Sequence, residues 1–283
     1  MNMGIITVLL PLALAIIMLG LGLELTLNDF KRVSKHPKAV LIALFCQLVI
    51  LVGVAFILCK VLSLPPLLAV GLMLLAASPG GSTANLFSYL FKGDIALNIS
   101  LTAINSVVAA VTLPLIMNFS ILHFMQESQQ ITLPLSKIVQ VFAIIIIPVG
   151  IGMLIRHYAP KLTEKLNKPL RIFAVVFLIA IIALAIFAER QNIATYLTQV
   201  GLATAIFCAC SLAIGYFVPR LLGISSTQAR ACAFEIGIHN STLAMTIALT
   251  VMANTTIAMP AAVYSIFMYI FAAAFGFMIT RSK

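Results

Sequence analysis

The sequence reads Ala77-Ser78-Pro79-Gly80-Gly81-Ser82-Thr83-Ala84-Asn85 within one apolar segment and Glu235-Ile236-Gly237-Ile238-His239-Asn240-Ser241-Thr242 within another. Proline removes a backbone donor and glycine is a poor helix former, while the second stretch adds a carboxylate and an imidazole to apolar surroundings. Irregular backbone at membrane depth is tolerated only where it is buried in protein or lines a wet cavity. Each stretch therefore predicts a broken transmembrane helix at a functional site.

The composition indicates a membrane protein. Of the 283 residues, 63% are hydrophobic and 8% are charged, and the mean hydropathy is +1.18. Because a spanning helix needs about 20 apolar residues, this is enough for about nine spans. It excludes soluble enzymes, nucleic-acid binders and disulfide-stapled secreted domains. The five cysteines lie in apolar stretches without C-x-x-C spacing, which is typical of packing residues.

Hydrophobic runs bounded by charges and by Pro/Gly clusters predict an all-α polytopic membrane protein with nine transmembrane helices. The spans are expected at about 3–25, 38–62, 66–91, 94–119, 132–156, 169–189, 198–219, 226–252 and 257–280. The first span is expected to remain in the protein rather than to be cleaved as a signal peptide.

The basic residues predict the orientation of these spans. All Lys and Arg residues except Lys60, Lys137 and Arg190 fall in alternate loops on one side. The positive-inside rule places that side in the cytoplasm, so the amino terminus is expected outside a plasma (inner) membrane and the carboxyl terminus inside. The net charge of +10 is thus a topology signal, and neither nucleic acid nor a second copy of the chain is an expected partner.

The broken third and eighth spans run in opposite directions, because they are an odd number of spans apart. This pattern predicts an inverted repeat of spans 1–4 and 6–9, with the fifth span left over. Paired breaks in corresponding positions of two halves point to the binding site of a transporter.

Glu235 is the one acidic residue placed deep within a span. A charge at the bilayer centre costs about 2.5–3.5 kcal/mol on insertion scales, and no Lys or Arg lies at matching depth. The carboxylate must be protonated, paired or bound to a cation. Small hard cations prefer carboxylate, amide, hydroxyl and carbonyl oxygens. The other candidate ligands share such an oxygen, and they are Gln47, Asn85, Asn98, Thr102, Asn105 and the backbone carbonyls of Ile236 and Ile238.

Each break also begins a new half-helix, whose first amides lack partners and carry positive partial charge. Ser82 and Thr83 on one side, and Asn240 and Ser241 on the other, are suitable caps there. Two such ends would attract a carboxylate or a sulfonate, so these four residues are the candidate substrate site.

These residues resemble the bile acid:sodium symporter family over nearly the whole chain, in the manner of a bacterial member. The most specific elements are Ser78-Pro79-Gly80-Gly81 with Asn85, then Lys92-Gly93-Asp94, the Thr102 helix, and Glu235-x-Gly-x-x-Asn240. The resemblance implies one transporter domain over 1–283, in which broken helices cross near the midplane. A panel (spans at about 3–25, 132–156 and 169–189) would lie beside a core (38–119 and 198–280).

The resemblance also implies two sodium sites. One would involve Asn85, Thr102 and Glu235, and the other Gln47, Glu235, the carbonyls of Ile236 and Ile238, and position 239. Three positions depart from the family pattern: His239 stands where glutamine is usual, and Ala84 and Asn98 each replace a serine. Imidazole nitrogen is a poor sodium ligand and titrates near neutrality.

The expected function is sodium-coupled uptake of an organic anion, bile-acid-like or a small carboxylate, with sodium as coupling ion and no cofactor. A proton-coupled transporter using Glu235 and His239 is the alternative, and an ion channel is a weaker one. An enzyme is not expected, because no nucleophile elbow and no H-E-x-x-H helix is present.

Overall fold

The chain folds as an assembly of α-helices. A computed structural model describes residues 3–81, 83–125, 135–188 and 193–281. The helices are α1 (Met3–Glu24), α2 (Leu27–Val33), α3 (Pro37–Phe45), a π-helical turn (Cys46–Ile50), α4 (Leu51–Val61), α5 (Pro66–Ala77), α6 (Thr83–Leu90), α7 (Ile95–Phe124), α8 (Leu135–Tyr158), α9 (Pro160–Ala188), α10 (Ile193–Leu221), α11 (Ser226–Gly237), α12 (Ser241–Thr250) and α13 (Thr255–Arg281). The predicted all-α class is confirmed.

Both predicted interruptions are present, and they lie against each other. The first separates α5 from α6 and the second separates α11 from α12. Gly80 and His239 form an isolated antiparallel bridge. The Gly81 amide donates to the Ile238 carbonyl at 2.7 Å, and the Asn240 amide donates to the Pro79 carbonyl at 2.8 Å. Each unwound stretch thus satisfies backbone groups that the other leaves without helical partners.

The long apolar helices support the prediction that this is a membrane protein, but they do not determine the number of spans. Within the described ranges, the helices long and apolar enough to cross a membrane are Pro37–Val61, Ile95–Phe124, Leu197–Leu221 and Thr255–Arg281. The pair Pro11–Glu24 and Leu27–Val33, bent by 66°, would make a fifth. The breaks leave Pro66–Ala77 and Ser241–Thr250 as short apolar helices. The count of nine stays a prediction.

Two helical segments differ from the predicted spans, one in where it begins and the other in its regularity. Helix α9 begins at Pro160, earlier than the apolar run from 169, because proline is well suited to the first turn of a helix. The second span is not a uniform α-helix, since its middle contains the π-helical turn. Such turns occur frequently at functional sites, and this one carries the buried side chain of Gln47.

Close packing of α1 on α8 depends on glycine. A Cβ atom on Gly22 would overlap the backbone of Val149, and one on Gly152 would overlap the backbones of Leu19 and Gly22. Small residues allow helix backbones in membranes to approach closely. Helix α9 also packs on α1, whereas α5, α7, α10, α11 and α13 surround the paired breaks.

We expect Gly152→Ala to destabilise the protein by about 1–3 kcal/mol, because the added methyl group has no room between two backbones. Gly150 is the matched control, since a Cβ atom there meets no atom within 4 Å. Gly150→Ala should be neutral or stabilising by up to about 1 kcal/mol through helix propensity. Unfolding of both purified variants in detergent measures the difference. Equal stabilities would contradict the packing of α1 on α8.

Candidate functional site

Glu235 lies in the last turn of α11 and is 1% exposed. Thr102 of α7 donates its hydroxyl hydrogen to Oε2, and Asn105 Nδ2 donates to Oε1 at 3.4 Å. The backbone of Gly80 closes the other side, because a Cβ atom there would overlap both carboxylate oxygens. Among the described residues, no Lys or Arg side chain forms an ion pair with Glu235. The carboxylate is therefore held by neutral donors alone.

Several buried amide oxygens near the breaks have no hydrogen-bond partner. In native proteins most buried polar atoms are hydrogen-bonded, so such atoms need an explanation. Carbonyl-type oxygens are ligands that hard cations prefer. Within the described ranges, no group of three His, Cys, Asp or Glu side chains is placed to hold a metal ion. The unpartnered oxygens are Gln47 Oε1, Asn85 Oδ1, Asn98 Oδ1 and Asn105 Oδ1.

The orientation of the Asn98 amide follows from its neighbours. Its nitrogen Nδ2 donates to Ser88 Oγ at 2.6 Å and to the Ala231 carbonyl at 2.9 Å. A backbone carbonyl only accepts hydrogen bonds, so the amide nitrogen must face Ala231 and the oxygen must point away. Asn98 thereby joins α7 to α6 and α11 while leaving an acceptor oxygen without a donor.

Two predicted sodium ligands form hydrogen bonds with the Ser78 carbonyl. Gln47 Nε2 donates to it at 3.1 Å and to the Ala76 carbonyl at 3.3 Å. His239 Nδ1 lies 3.1 Å from the same Ser78 oxygen. Because that oxygen only accepts, Nδ1 carries the hydrogen and donates it. Gln47 and His239 are thus brought together through hydrogen bonds to one backbone carbonyl.

The His239 ring is fixed by aromatic neighbours. It stacks on Phe207 with 5.4 Å between ring centroids and an interplanar angle of 24°, and it meets Tyr264 edge-on at 5.4 Å and 70°. Its second nitrogen, Nε2, is buried and has no hydrogen-bond partner. The Tyr264 hydroxyl donates to the Gly237 carbonyl at 2.8 Å, which satisfies a free acceptor at the end of α11. The ring is therefore part of the packed support of the second break.

A cavity of about 770 Å³ lies beside the paired breaks, between α1 and α9 on one side and α6, α12 and α13 on the other. Asn240 caps α12, because its Oδ1 accepts from the Leu243 amide at 3.0 Å. Of the predicted substrate residues, Thr83, Asn240 and Ser241 line this cavity, and Ser82 lies outside the described residues. Asn85 and His239, predicted as sodium ligands, also contribute to its wall.

The predicted sodium ligands thus divide into groups. Thr102 contacts Glu235 directly, and Asn98 lies one turn before it on α7. Ile236 and Ile238 are buried on either side of Gly237, and the Ile238 carbonyl accepts from Gly81. Asn105, a candidate ligand because it shares a helix face with Thr102, contacts Glu235 as well. The Ser78 carbonyl was missing from the predicted site, and no sequence pattern indicated it.

The sequence comparisons agree with this arrangement. Residues 11–196 match the family described as the Sodium Bile acid symporter family. The chain belongs to this family.

Members with known names include a probable chloroplastic sodium/metabolite cotransporter of Arabidopsis thaliana, 30% identical over 89% of this chain. This chain covers 62% of that plant relative. An uncharacterized sodium-dependent transporter of Bacillus subtilis (strain 168) is 29% identical over 89% of this chain, and the match covers 77% of that transporter's length. The human ileal sodium/bile acid cotransporter is 27% identical over 99% of this chain and 81% of its own. These relatives of the symporter family are transporters, not enzymes.

We expect Gly80→Ala to destabilise the protein by about 1–3 kcal/mol, because the added methyl group displaces the Glu235 carboxylate from Thr102 and Asn105. In a Glu235→Ala background the methyl group has room, so the same substitution should cost much less. A double-mutant cycle of unfolding free energies in sodium-free buffer measures this coupling.

Gly81→Ala is the control for the Gly80 substitution, since a Cβ atom there meets its nearest neighbour at 3.5 Å. It should show no coupling with Glu235→Ala. A Gly80–Glu235 coupling below about 0.5 kcal/mol would contradict the described contact.

Proposed function

We propose that this member of the sodium bile acid symporter family couples the entry of sodium to the uptake of an organic anion by alternating access. The observation that carries the proposal is Glu235, a buried carboxylate with only neutral donors beside two paired helix breaks. Unpartnered amide oxygens near these breaks supply the remaining ligands that an alkali cation requires. The sodium-dependent names of its relatives support the same ion.

The coupling between sodium and substrate is electrostatic. An anion at the paired breaks is repelled by the ionised carboxylate of Glu235, and a bound sodium ion cancels that charge. Sodium therefore raises the affinity for the anion. Because coupling free energies are reciprocal, the anion must raise the affinity for sodium by the same factor.

The cavity favours a substrate with an anionic end and an apolar body. Its polar wall lies at the amino-terminal ends of α6 and α12, where Thr83, Asn240 and Ser241 are found. Helix amino termini attract anions through their free amides and positive partial charge. Among the described residues, no Lys or Arg lines the cavity. The opposite wall, from α1 and α9, is mainly apolar, as at Met18 and Leu21, and includes the polar side chains of Glu24 and Asn167. A bile-acid-like molecule fits this distribution better than a small carboxylate.

The same proposal includes the membrane arrangement. The chain would cross a plasma membrane nine times as a monomer, with an external amino terminus and a cytoplasmic carboxyl terminus. The antiparallel bridge between Gly80 and His239 supports two inverted halves whose broken helices cross. The packing of α1 on α8 and α9 supports the division into a panel of the spans at about 3–25, 132–156 and 169–189 and a core of 38–119 and 198–280. Rocking of panel against core would then expose the cavity alternately to each side.

Glu235→Gln should abolish the sodium-dependent part of transport, because the neutral amide neither binds the cation as strongly nor needs charge compensation. Glu164→Gln is the control, since Glu164 is an exposed carboxylate on α9 and should leave sodium dependence unchanged. A thermal-shift screen of organic anions in sodium and in potassium identifies a substrate. Uptake into proteoliposomes then compares the variants.

The same uptake assay separates the alternatives. Uptake driven by a proton gradient without sodium would favour the proton-coupled mechanism with Glu235 and His239. Non-saturable flux would favour a channel. Sodium-stimulated uptake that survives Glu235→Gln unchanged would contradict the proposal.

Asn240→Ala should raise the KM for the substrate by about tenfold, which corresponds to loss of roughly 1.4 kcal/mol of binding free energy at the start of α12. It also removes a helix cap, at a cost of about 1 kcal/mol in stability. Asn254→Ala is the matched control, because Asn254 caps α13 through the Ile257 amide at 3.1 Å and does not line the cavity. Equal KM values in the two variants would refute a substrate role for Asn240.

A further inference from the structure

The Ser78 carbonyl has both of its lone pairs engaged by donors. Gln47 Nε2 donates to it from the π-helical turn, and His239 Nδ1 donates to it from the second break, each at 3.1 Å. A carbonyl oxygen offers two lone pairs. Two of the groups implied for the second sodium ion, Gln47 and His239, thus each direct a donor at this carbonyl.

Among the groups implied for that second sodium ion, Gln47 offers an unpartnered oxygen, Oε1, whereas position 239 and the Ile238 carbonyl fit a cation poorly. Position 239 supplies nitrogen atoms rather than an oxygen, and the ring is held by Phe207 and Tyr264. The Ile238 carbonyl accepts the Gly81 amide at 2.7 Å. Sodium is a hard cation that prefers several oxygen ligands in one shell.

The Glu235 carboxylate lies between α7 and the backbone of Gly80. Both of its oxygens accept hydrogen bonds from α7, one from Thr102 and the other from Asn105. The unpartnered oxygens of Asn98 and Asn105 belong to the same helix. Helix α7 thus carries two unpartnered amide oxygens beside the Thr102 contact with Glu235, while Gln47 Oε1 and Asn85 Oδ1 belong to the π-helical turn and to α6.

We propose that this chain binds a single sodium ion, on the α7 side of Glu235, and that the hydrogen bonds of His239 and Gln47 to the Ser78 carbonyl replace a second one. The inference rests on the proposed function, because it concerns the number of ions used by that site. His239 is then the residue that determines the stoichiometry. With one sodium ion per monovalent anion, transport carries no net charge.

The test is a sodium titration of purified protein at constant ionic strength, with potassium as the balancing ion and no organic substrate. Sodium binding to the folded state raises its unfolding temperature, and the steepness of that rise reports the number of ions bound. The wild-type protein should give a Hill coefficient of about 1. His239→Gln removes the Nδ1 donor and supplies an amide oxygen, so it should give a coefficient approaching 2.

His239→Ala is the matched control, since it removes the ring without adding an oxygen, and its Hill coefficient should stay near 1. A wild-type coefficient near 2 would overturn the single-ion inference while leaving the proposed function intact. Absence of any sodium effect on the wild type would instead overturn the proposed function. A monodisperse His239→Gln variant with a coefficient near 1 would overturn the role of His239.

Discussion

The burial of one carboxylate without a basic partner is the constraint on which the rest of the site depends. Glu235 is 1% exposed and its oxygens face a hydroxyl, an amide nitrogen and the backbone of Gly80. Neutral donors lower the free-energy cost of the charge only in part, because desolvation of an ion costs several kcal/mol. A cation removes the remaining cost. Asn98 and Asn105 each leave a buried amide oxygen without a donor on the same helix, and the proposed ion would use such oxygens.

The paired breaks provide the space for this carboxylate. At the first break, Gly80 brings bare backbone against Glu235, where the Cβ atom of any other residue would overlap the carboxylate. The cost of unwinding is reduced because the amides of Gly81 and Asn240 find carbonyls on the opposite stretch. Since each break supplies the hydrogen-bond partners of the other, neither is stable alone. This mutual dependence explains why both occur in one chain.

The sequence predicted those parts of the site that a local rule governs. Pro79 and the neighbouring glycines predicted the helix breaks, and hydropathy predicted the apolar helices. The depth of Glu235 within its span indicated an unusual buried charge. Contacts across the fold had no such rule. The hydrogen bond from His239 to Ser78 joins residues far apart in the chain, and the π-helical turn at Gln47 has no signature in its apolar sequence. Helix α9 begins before the apolar run that predicted its span, because charged residues can continue a helix beyond such a run.

A bound cation can perform two tasks at a site of this kind, and Glu235 and His239 illustrate one task each. One task is to cancel charge, which a bound cation does for Glu235 in the proposed mechanism. The other is to hold unwound segments together, and a hydrogen bond can do this as well. In this chain the Ser78 carbonyl already joins the π-helical turn to both breaks through Gln47 and His239. In the proposed single-ion mechanism, sodium is left with charge compensation, which takes one ion for one carboxylate.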